Sequence, residues 1–277
     1  METIKKLRAK VQHKNLPGDP YLQRWPSIYL TYLLVQTPLT ANYVTASMFF
    51  AGIAGAYFVA AGYFWLGFLF IYLNLLLDMC DGEVARYKKI RTLNGGYLDL
   101  VNHLVTPSLL FFALTYQVAG MPQSAAAGVL VIGVLGGLFM SVRRANGDLH
   151  RVLFVRKFVK HPDLFIEKRE TAPAARERPI SEHITSSTVL RRIPWALYEM
   201  HELLYMTVIF ALAYGAESLW LSTAPGHPVL YWLVIFYGIT SCLYFVREVY
   251  GGFVSIEDRV YSLGSRILSQ HPHDRHS

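Results

Sequence analysis

Only two cysteines, Cys80 and Cys242, occur in 277 residues. Both fall in or near apolar runs far apart in the chain, which argues against a disulfide-built fold. Charge is scarce as well. At 16% charged and 53% apolar, the chain is too greasy for an ordinary soluble domain. Apolar and polar residues do not alternate, so a strand barrel is not expected. The net charge is +7, but no aromatic–basic platform or groove-reading motif accompanies it, and nucleic acid is not an expected partner. No cleavable leader pattern is visible either. The expectation for the N-terminus is a retained basic amphipathic helix at the membrane interface, with Ile4, Leu7 and Val11 on one face.

What the chain does have is six apolar runs, at 43–61, 63–85, 97–118, 124–142, 200–221 and 228–247. Each approaches the roughly 20 residues that a helix needs to cross a hydrocarbon core of about 30 Å. Backbone groups must be paired internally in lipid, so the expected fold class is an all-α integral membrane protein with six transmembrane helices. Residues 19–36 read as an element lying at the interface, because Pro26 and Pro38 make them a poor span. Basic residues gather on one set of connections: Lys5, Lys6, Arg8, Lys10 and Lys14, then Lys88, Lys89 and Arg91, then the stretch from Arg143 to Arg192, and Arg259, Arg266 and Arg275 in the tail. The opposite connections carry neither Lys nor Arg. The positive-inside rule therefore puts both termini and the basic segments in the cytoplasm, against anionic lipid headgroups, as in a prokaryotic inner membrane.

The expected organisation is an interfacial segment over 1–40, a membrane domain over 41–250 and a cytoplasmic tail over 251–277. Within the membrane domain, about 145–195 reads as a cytoplasmic linker, since 161–190 is polar, mixes both charge signs and holds three prolines. Gly133 and Gly137 form a small-xxx-small pair in the fourth run, a sign of close helix packing within the chain or across a homodimer.

The chemistry concentrates in "DMCDGEVARYKKIRTLNGGYLDLVNH", residues 78–103. Carboxylates at membrane depth are costly and point to function. Taking Asp78 as the origin and about 100° per residue, Asp81 lies about 60° away, Gly82 about 40°, Ala85 about 20° and Arg86 about 80°. One helix face thus bears two carboxylates, a cation and two positions almost without side chain, where a bulky phosphorylated ligand can approach the backbone. Glu83 points elsewhere and reads as solvated. On the next run Asp99 and His103 stack at i and i+4, after Gly95 and Gly96. The short loop between the two runs makes them antiparallel neighbours, so their polar faces converge. Clustered carboxylates repel unless a hard divalent cation binds them, and Mg²⁺ favours oxygen ligands plus substrate phosphates.

This stretch resembles the signature of CDP-alcohol phosphotransferases, D-x-x-D-G-x-x-A-R, eight residues, then G-x-x-x-D-x-x-x-D. Asp78, Asp81, Gly82, Ala85, Arg86, Gly95 and Asp99 match, and His103 replaces the last aspartate. "TPLTANYVT" is similar to the family's entry to its first span, with Ala41 where proline is usual. The resemblance implies transfer of a substituted phosphate from a CDP-linked donor to an alcohol acceptor, with release of CMP. It implies Asp78, Asp81 and Asp99 as ligands of Mg²⁺ or Mn²⁺, and Gly82 and Ala85 as room for the cytidine diphosphate. Asn42 and Thr45 would line the nucleotide pocket, Gly95 would permit close approach, and Arg86 would stabilise phosphate charge or hold the aspartates. Asp99 and His103 would be the catalytic pair.

Three readings of His103 stay open. Imidazole ordinarily titrates near pH 6.5, which suits a base for the acceptor hydroxyl and removes one negative charge from the metal site. Alternatively the protein binds nucleotide and metal as a regulatory partner without transfer, or runs a transfer whose acceptor brings its own activated group. Transport fits poorly, because Glu217 is isolated and a capping role accounts for it. Secondary candidates are Arg143, Arg144 and Arg247, as anion ligands or membrane anchors, and Glu199, His201 and Glu202, as site residues or a solvated helix start. Arg24, Ser27, Thr31 and Leu34 resemble R-x-x-S-x-x-x-T-x-x-L, a pattern of members that handle polar alcohols. Nothing distinguishes a CDP-diacylglycerol donor from a CDP-polyol.

Overall fold

A computed structural model describes residues 4–12, 21–90, 92–121, 125–160, 200–220 and 227–270. The described residues form eight helices and no strand. Two come before the long apolar runs, α1 (Ile4–Val11) and α2 (Tyr21–Leu34). Then follow α3 (Ala41–Ala60), α4 (Phe64–Lys88), α5 (Leu93–Ala119), α6 (Ala126–Lys160), α7 (Leu203–Trp220) and α8 (Pro228–Gln270). Five of these contain segments long and apolar enough to cross a membrane: all of α3, α4 and α5, and Ala126–Asn146 and Pro228–Arg247 within α6 and α8. The sixth expected span is the shorter apolar helix Leu203–Leu219.

Two helices outrun their apolar segments. α6 runs to Lys160, well into the expected linker, and α8 to Gln270, through most of the expected tail. Hydropathy ends where the membrane would end, whereas helical hydrogen bonding continues until a breaker stops it. The linker's core at 161–190 lies outside the described residues.

α3 lies against both α4 and α5. Contrary to the expectation from their short loop, α4 and α5 have little backbone contact with each other and meet through side chains such as Asn74 and Asn102. α6 lies on α5, α8 on α6, and α7 touches both α4 and α8. Phe68 and Ile71 of α4, Phe111 and Leu114 of α5, Phe210 of α7 and Tyr237 of α8 share one buried cluster. Outward faces carry exposed Phe50, Tyr57, Leu69, Leu138 and Trp232, a pattern that lipid accepts and water does not. Lipid supplies no hydrophobic drive between helices, so close packing has to hold them together. The glycines of α6 provide it within the chain. A Cβ on Gly133 would lie 2.0 Å from Thr115, one on Gly137 2.3 Å from Phe112, and one on Gly136 2.8 Å from the Cα of Gly238. The small-residue pair therefore faces α5, and its face is already occupied without a second copy.

α1 has its expected amphipathic pattern, and its apolar side is covered by protein. Leu7 and Val11 are buried with Ile28 of α2, beside Tyr32, Val35 and Tyr87. Both short helices pack on α4.

Candidate active site

Three helix ends build the site. α4 ends at Lys89, whose left-handed backbone (φ 55°) caps the helix. α5 starts on Thr92 in extended conformation, and the Thr92 hydroxyl accepts from the Gly95 amide at 3.1 Å. That hydroxyl also donates to Asn42 Oδ1 at 2.8 Å, tying the start of α5 to the start of α3. The Lys88 ammonium donates to the carbonyls of Thr37 and Leu39 at 2.7 and 2.6 Å and so fixes the connection into α3. Gly95 must be glycine for this arrangement, because a Cβ there would lie 2.7 Å from Asn42 Oδ1.

Between these ends is a cleft of about 230 Å³. Asn42, Thr45, Asp81, Gly82, Ala85, Arg86, Gly95 and Asp99 line it, so most of the residues singled out in sequence meet on one surface. Ala41, Ile90, Thr92 and Gly96 complete the wall. Of these Thr92 had a signal that was missed, a threonine just before an apolar run and three residues ahead of the amide it caps. At Gly82 an added Cβ would meet only the Arg86 guanidinium, at 3.2 Å, so this stretch of α4 backbone is bare. The first turns of α3 and α5 both reach the cleft, where the positive ends of their helix dipoles favour an anion. With Arg86 opposite carboxylates, the wall offers charge of both signs, as a metal–phosphate complex requires.

Asp78 and His103 do not line the cleft but stand beside it. One ligand atom from each of Asp78, Asp99 and His103 lies within 4.8 Å of the others. His103 Nε2 is 3.3 Å from Asp78 Oδ1 and 3.2 Å from Asp99 Oδ1. Asp99 Oδ1 is buried, and the His103 ring nitrogen is its neighbour. Asp81 is not in this group. Its Oδ2 accepts from the Thr45 hydroxyl at 2.8 Å. Two carboxylates and one imidazole this close together fit a divalent cation, with Mn²⁺ more tolerant of the nitrogen than Mg²⁺. Behind the trio, the Asn74 amide donates to the Met48 carbonyl at 2.8 Å and to Asn102 Oδ1 at 2.9 Å. Thr106 donates to the same oxygen at 2.8 Å. This buried polar network joins α3, α4 and α5 one turn below the site.

Glu83 departs from expectation. Its direction on α4 is away from the cleft, but the side chain is completely buried, not solvated. α1 and α2 fold over it. Glu83 Oε1 accepts from Gln12 Nε2 at 2.7 Å and from the Ser27 hydroxyl at 2.9 Å, and Oε2 accepts from Thr31 at 2.6 Å. Ser27 and Thr31 thus hold α2 to α4, and the serine–threonine pattern before the first span has a structural use here. Arg86 Nε donates to the Val11 carbonyl at 2.6 Å, closing the C-terminus of α1 while the side chain lines the cleft.

The secondary candidates separate. Arg144 pairs with Glu202 at 3.1 Å, Arg143 approaches the same carboxylate at 3.8 Å, and Arg144 is close enough to Asp99 for their charges to interact. His201 is buried on α8, with Nε2 2.9 Å from Thr240 Oγ1 and its ring against Tyr237 and Tyr244, away from the cleft. Arg247 is exposed. Glu199 lies outside the described residues. Glu217 caps α8 as expected, accepting from the amides of Val229 and Leu230 and from His227.

Known proteins resemble this chain over the same stretch. Residues 38–173 match the family model described as CDP-alcohol phosphatidyltransferase, a range that contains the cleft and the trio. A curated relative, "Bifunctional IPC transferase and DIPP synthase" of Rubrobacter xylanophilus, is 31% identical over 115 residues, which are 42% of this chain and 26% of the relative. The chain thus matches about a quarter of that relative's length.

Proposed function

We propose, from the match of residues 38–173 to the CDP-alcohol phosphatidyltransferase family model, that this chain transfers a substituted phosphate from a CDP-linked alcohol, CDP-diacylglycerol or a CDP-polyol, to an acceptor hydroxyl. CMP is released, and the product is a phospholipid or a related membrane constituent. The observation that carries the reading is the shared cleft: Asn42, Thr45, Asp81, Gly82, Ala85, Arg86, Gly95 and Asp99 line one volume, with Asp78 and His103 at its edge. The transferase named in the Rubrobacter relative supports the reaction class.

In this reading Asp78, Asp81 and Asp99 would hold Mg²⁺ or Mn²⁺, with His103, beside Asp78 and Asp99, kept off the metal as the base. Such an ion supplies charge neutralisation on the donor's diphosphate. Thr45 fixes one oxygen of Asp81, so that carboxylate stays aimed into the cleft. Gly82 and Ala85 leave the α4 backbone open to the cytidine diphosphate, and Arg86 adds positive charge beside it. His103 Nε2 takes the acceptor's proton as the new P–O bond forms, and the bond to the CMP oxygen breaks with its electron pair leaving on CMP. The Lys and Arg distribution supports a cytoplasm-facing cleft and cytoplasmic termini in a prokaryotic cell membrane. A homodimer belongs to the reading as well, though the α6 glycines do not argue for it.

A second reading has one observation in its favour. His103 faces two carboxylates and lies outside the cleft wall, as in a protein that binds CDP-alcohol and metal without turnover, in a regulatory role. Measuring labelled CDP-diacylglycerol binding and CMP release on the same preparations separates the two. Transfer predicts CMP release by wild type and a loss of about 100-fold or more in His103→Ala with binding kept. Binding without CMP from any donor, together with turnover gained in His103→Asp, would establish the second reading instead.

A further inference from the structure

We propose that Glu83 is a positioning residue of the donor cleft: by docking α1 and α2 onto α4 it sets the rotation of the helix turns that carry Asp81, Gly82 and Arg86. The inference rests on the donor-cleft reading above. Glu83 is 0% exposed, and its hydrogen-bond partners among the described residues, Gln12, Ser27 and Thr31, are uncharged and come from the α1 and α2 segments. A buried carboxylate held by neutral donors is sensitive to their loss, because desolvation is then less compensated. On the same two turns of α4, the opposite side lines the cleft. One turn beyond Glu83, Arg86 joins both surfaces, donating to the Val11 carbonyl and lining the cleft. Releasing α1 and α2 therefore frees the last turns of α4 to rotate and moves Arg86 off its anchor.

A reporter of docking is already in the seam. Cys80 is fully buried there, with Sγ 3.5 Å from the Ser27 carbonyl. In a Cys242→Ser background, maleimide labelling of Cys80 reads α2 docking without reference to activity. Carboxylate bonding can be kept by an amide, since Gln can accept from Gln12 and Ser27 through its oxygen while its NH₂ donates to the Thr31 hydroxyl.

The test uses the full chain in proteoliposomes. Glu83→Ala is expected to speed Cys80 labelling at least about tenfold and to weaken binding of CDP in the presence of Mg²⁺ by about tenfold. It should raise the donor KM in parallel while leaving the acceptor KM within about threefold, whereas a lost fraction of folded protein lowers only the apparent kcat. Glu83→Gln should restore slow labelling and CDP affinity. Thr31→Val and Ser27→Ala, which remove one donor each, should give graded effects and serve where Glu83→Ala does not fold. Unchanged labelling in Glu83→Ala overturns the docking role. Faster labelling with unchanged CDP affinity overturns the positioning role, and Glu83→Gln as damaging as Glu83→Ala shows that charge, not bonding, is needed. A wild type that neither binds CDP nor releases CMP refutes the donor-cleft reading and with it the positioning role, while Cys80 still reports whether Glu83 docks the helices.

Discussion

Gly95→Ala separates the stability of this fold from its function. The added Cβ would sit 2.7 Å from Asn42 Oδ1, while an ordinary contact begins at 3.4 Å, so the amide must retreat by about 0.7 Å. Asn42 Oδ1 is the end of a movable side chain, so the backbone need not shift. The retreat breaks the 2.8 Å bond from Thr92, which contributes about 1 kcal/mol. Replacing glycine by alanine inside the first turn of α5 recovers up to about 1 kcal/mol of helix propensity. The two effects offset each other, and the unfolding midpoint in detergent should move by no more than about 4 °C. The cleft does not recover in the same way, because Asn42 and the first turn of α5 form its wall. A displacement on the order of 1 Å in a positioning group can lower a rate by about 100-fold. The expected result is CMP release reduced by about 10- to 100-fold, with donor KM raised, in protein of normal stability. Full activity would show that Asn42 does not touch the donor. An equal fall in stability and activity would refute the offset argued from the Thr92 bond.

Other outcomes follow from the same contacts. Thr45→Val removes the hydroxyl from Asp81 and should lower donor kcat/KM about fivefold, checked by steady-state kinetics, with metal requirement retained. Glu217→Ala uncaps α8 at the end remote from the cleft. It should destabilise by about 1–2 kcal/mol in detergent unfolding, with unchanged turnover per folded molecule. Gly136→Val would press on the Gly238 backbone and should destabilise by about 1–3 kcal/mol or more. Size-exclusion analysis should show no change in oligomeric state in the fraction that remains folded.

The spans were legible because the thickness of lipid sets the length of an apolar run, and the candidate cleft stood out because small residues beside carboxylates have no cheap structural explanation. Spacing alone put Asp99 above His103 and turned Asp78 toward them. Hydropathy could not show where α6 and α8 end, since helix propensity outlasts the membrane. It also could not show the fate of Glu83. A helical wheel gives a direction, and only the packing of α1 and α2 decides whether that direction is water or protein. The pairing of Asp81 with Thr45 joins α4 to α3 and likewise had no local signal. Ser27 and Thr31 stood out in sequence, but their partner was 52 residues or more away.

The most direct test of the account is a quantitative CMP assay on wild type and Asp81→Ala in proteoliposomes with Mg²⁺ or Mn²⁺. A panel of CDP-diacylglycerol and CDP-polyol donors would be paired with alcohol acceptors. The account predicts that wild type releases CMP in equal amount to phosphodiester product for at least one pair, and that Asp81→Ala and chelator each abolish it. CMP release that persists in Asp81→Ala, or none from wild type with any pair, would contradict it.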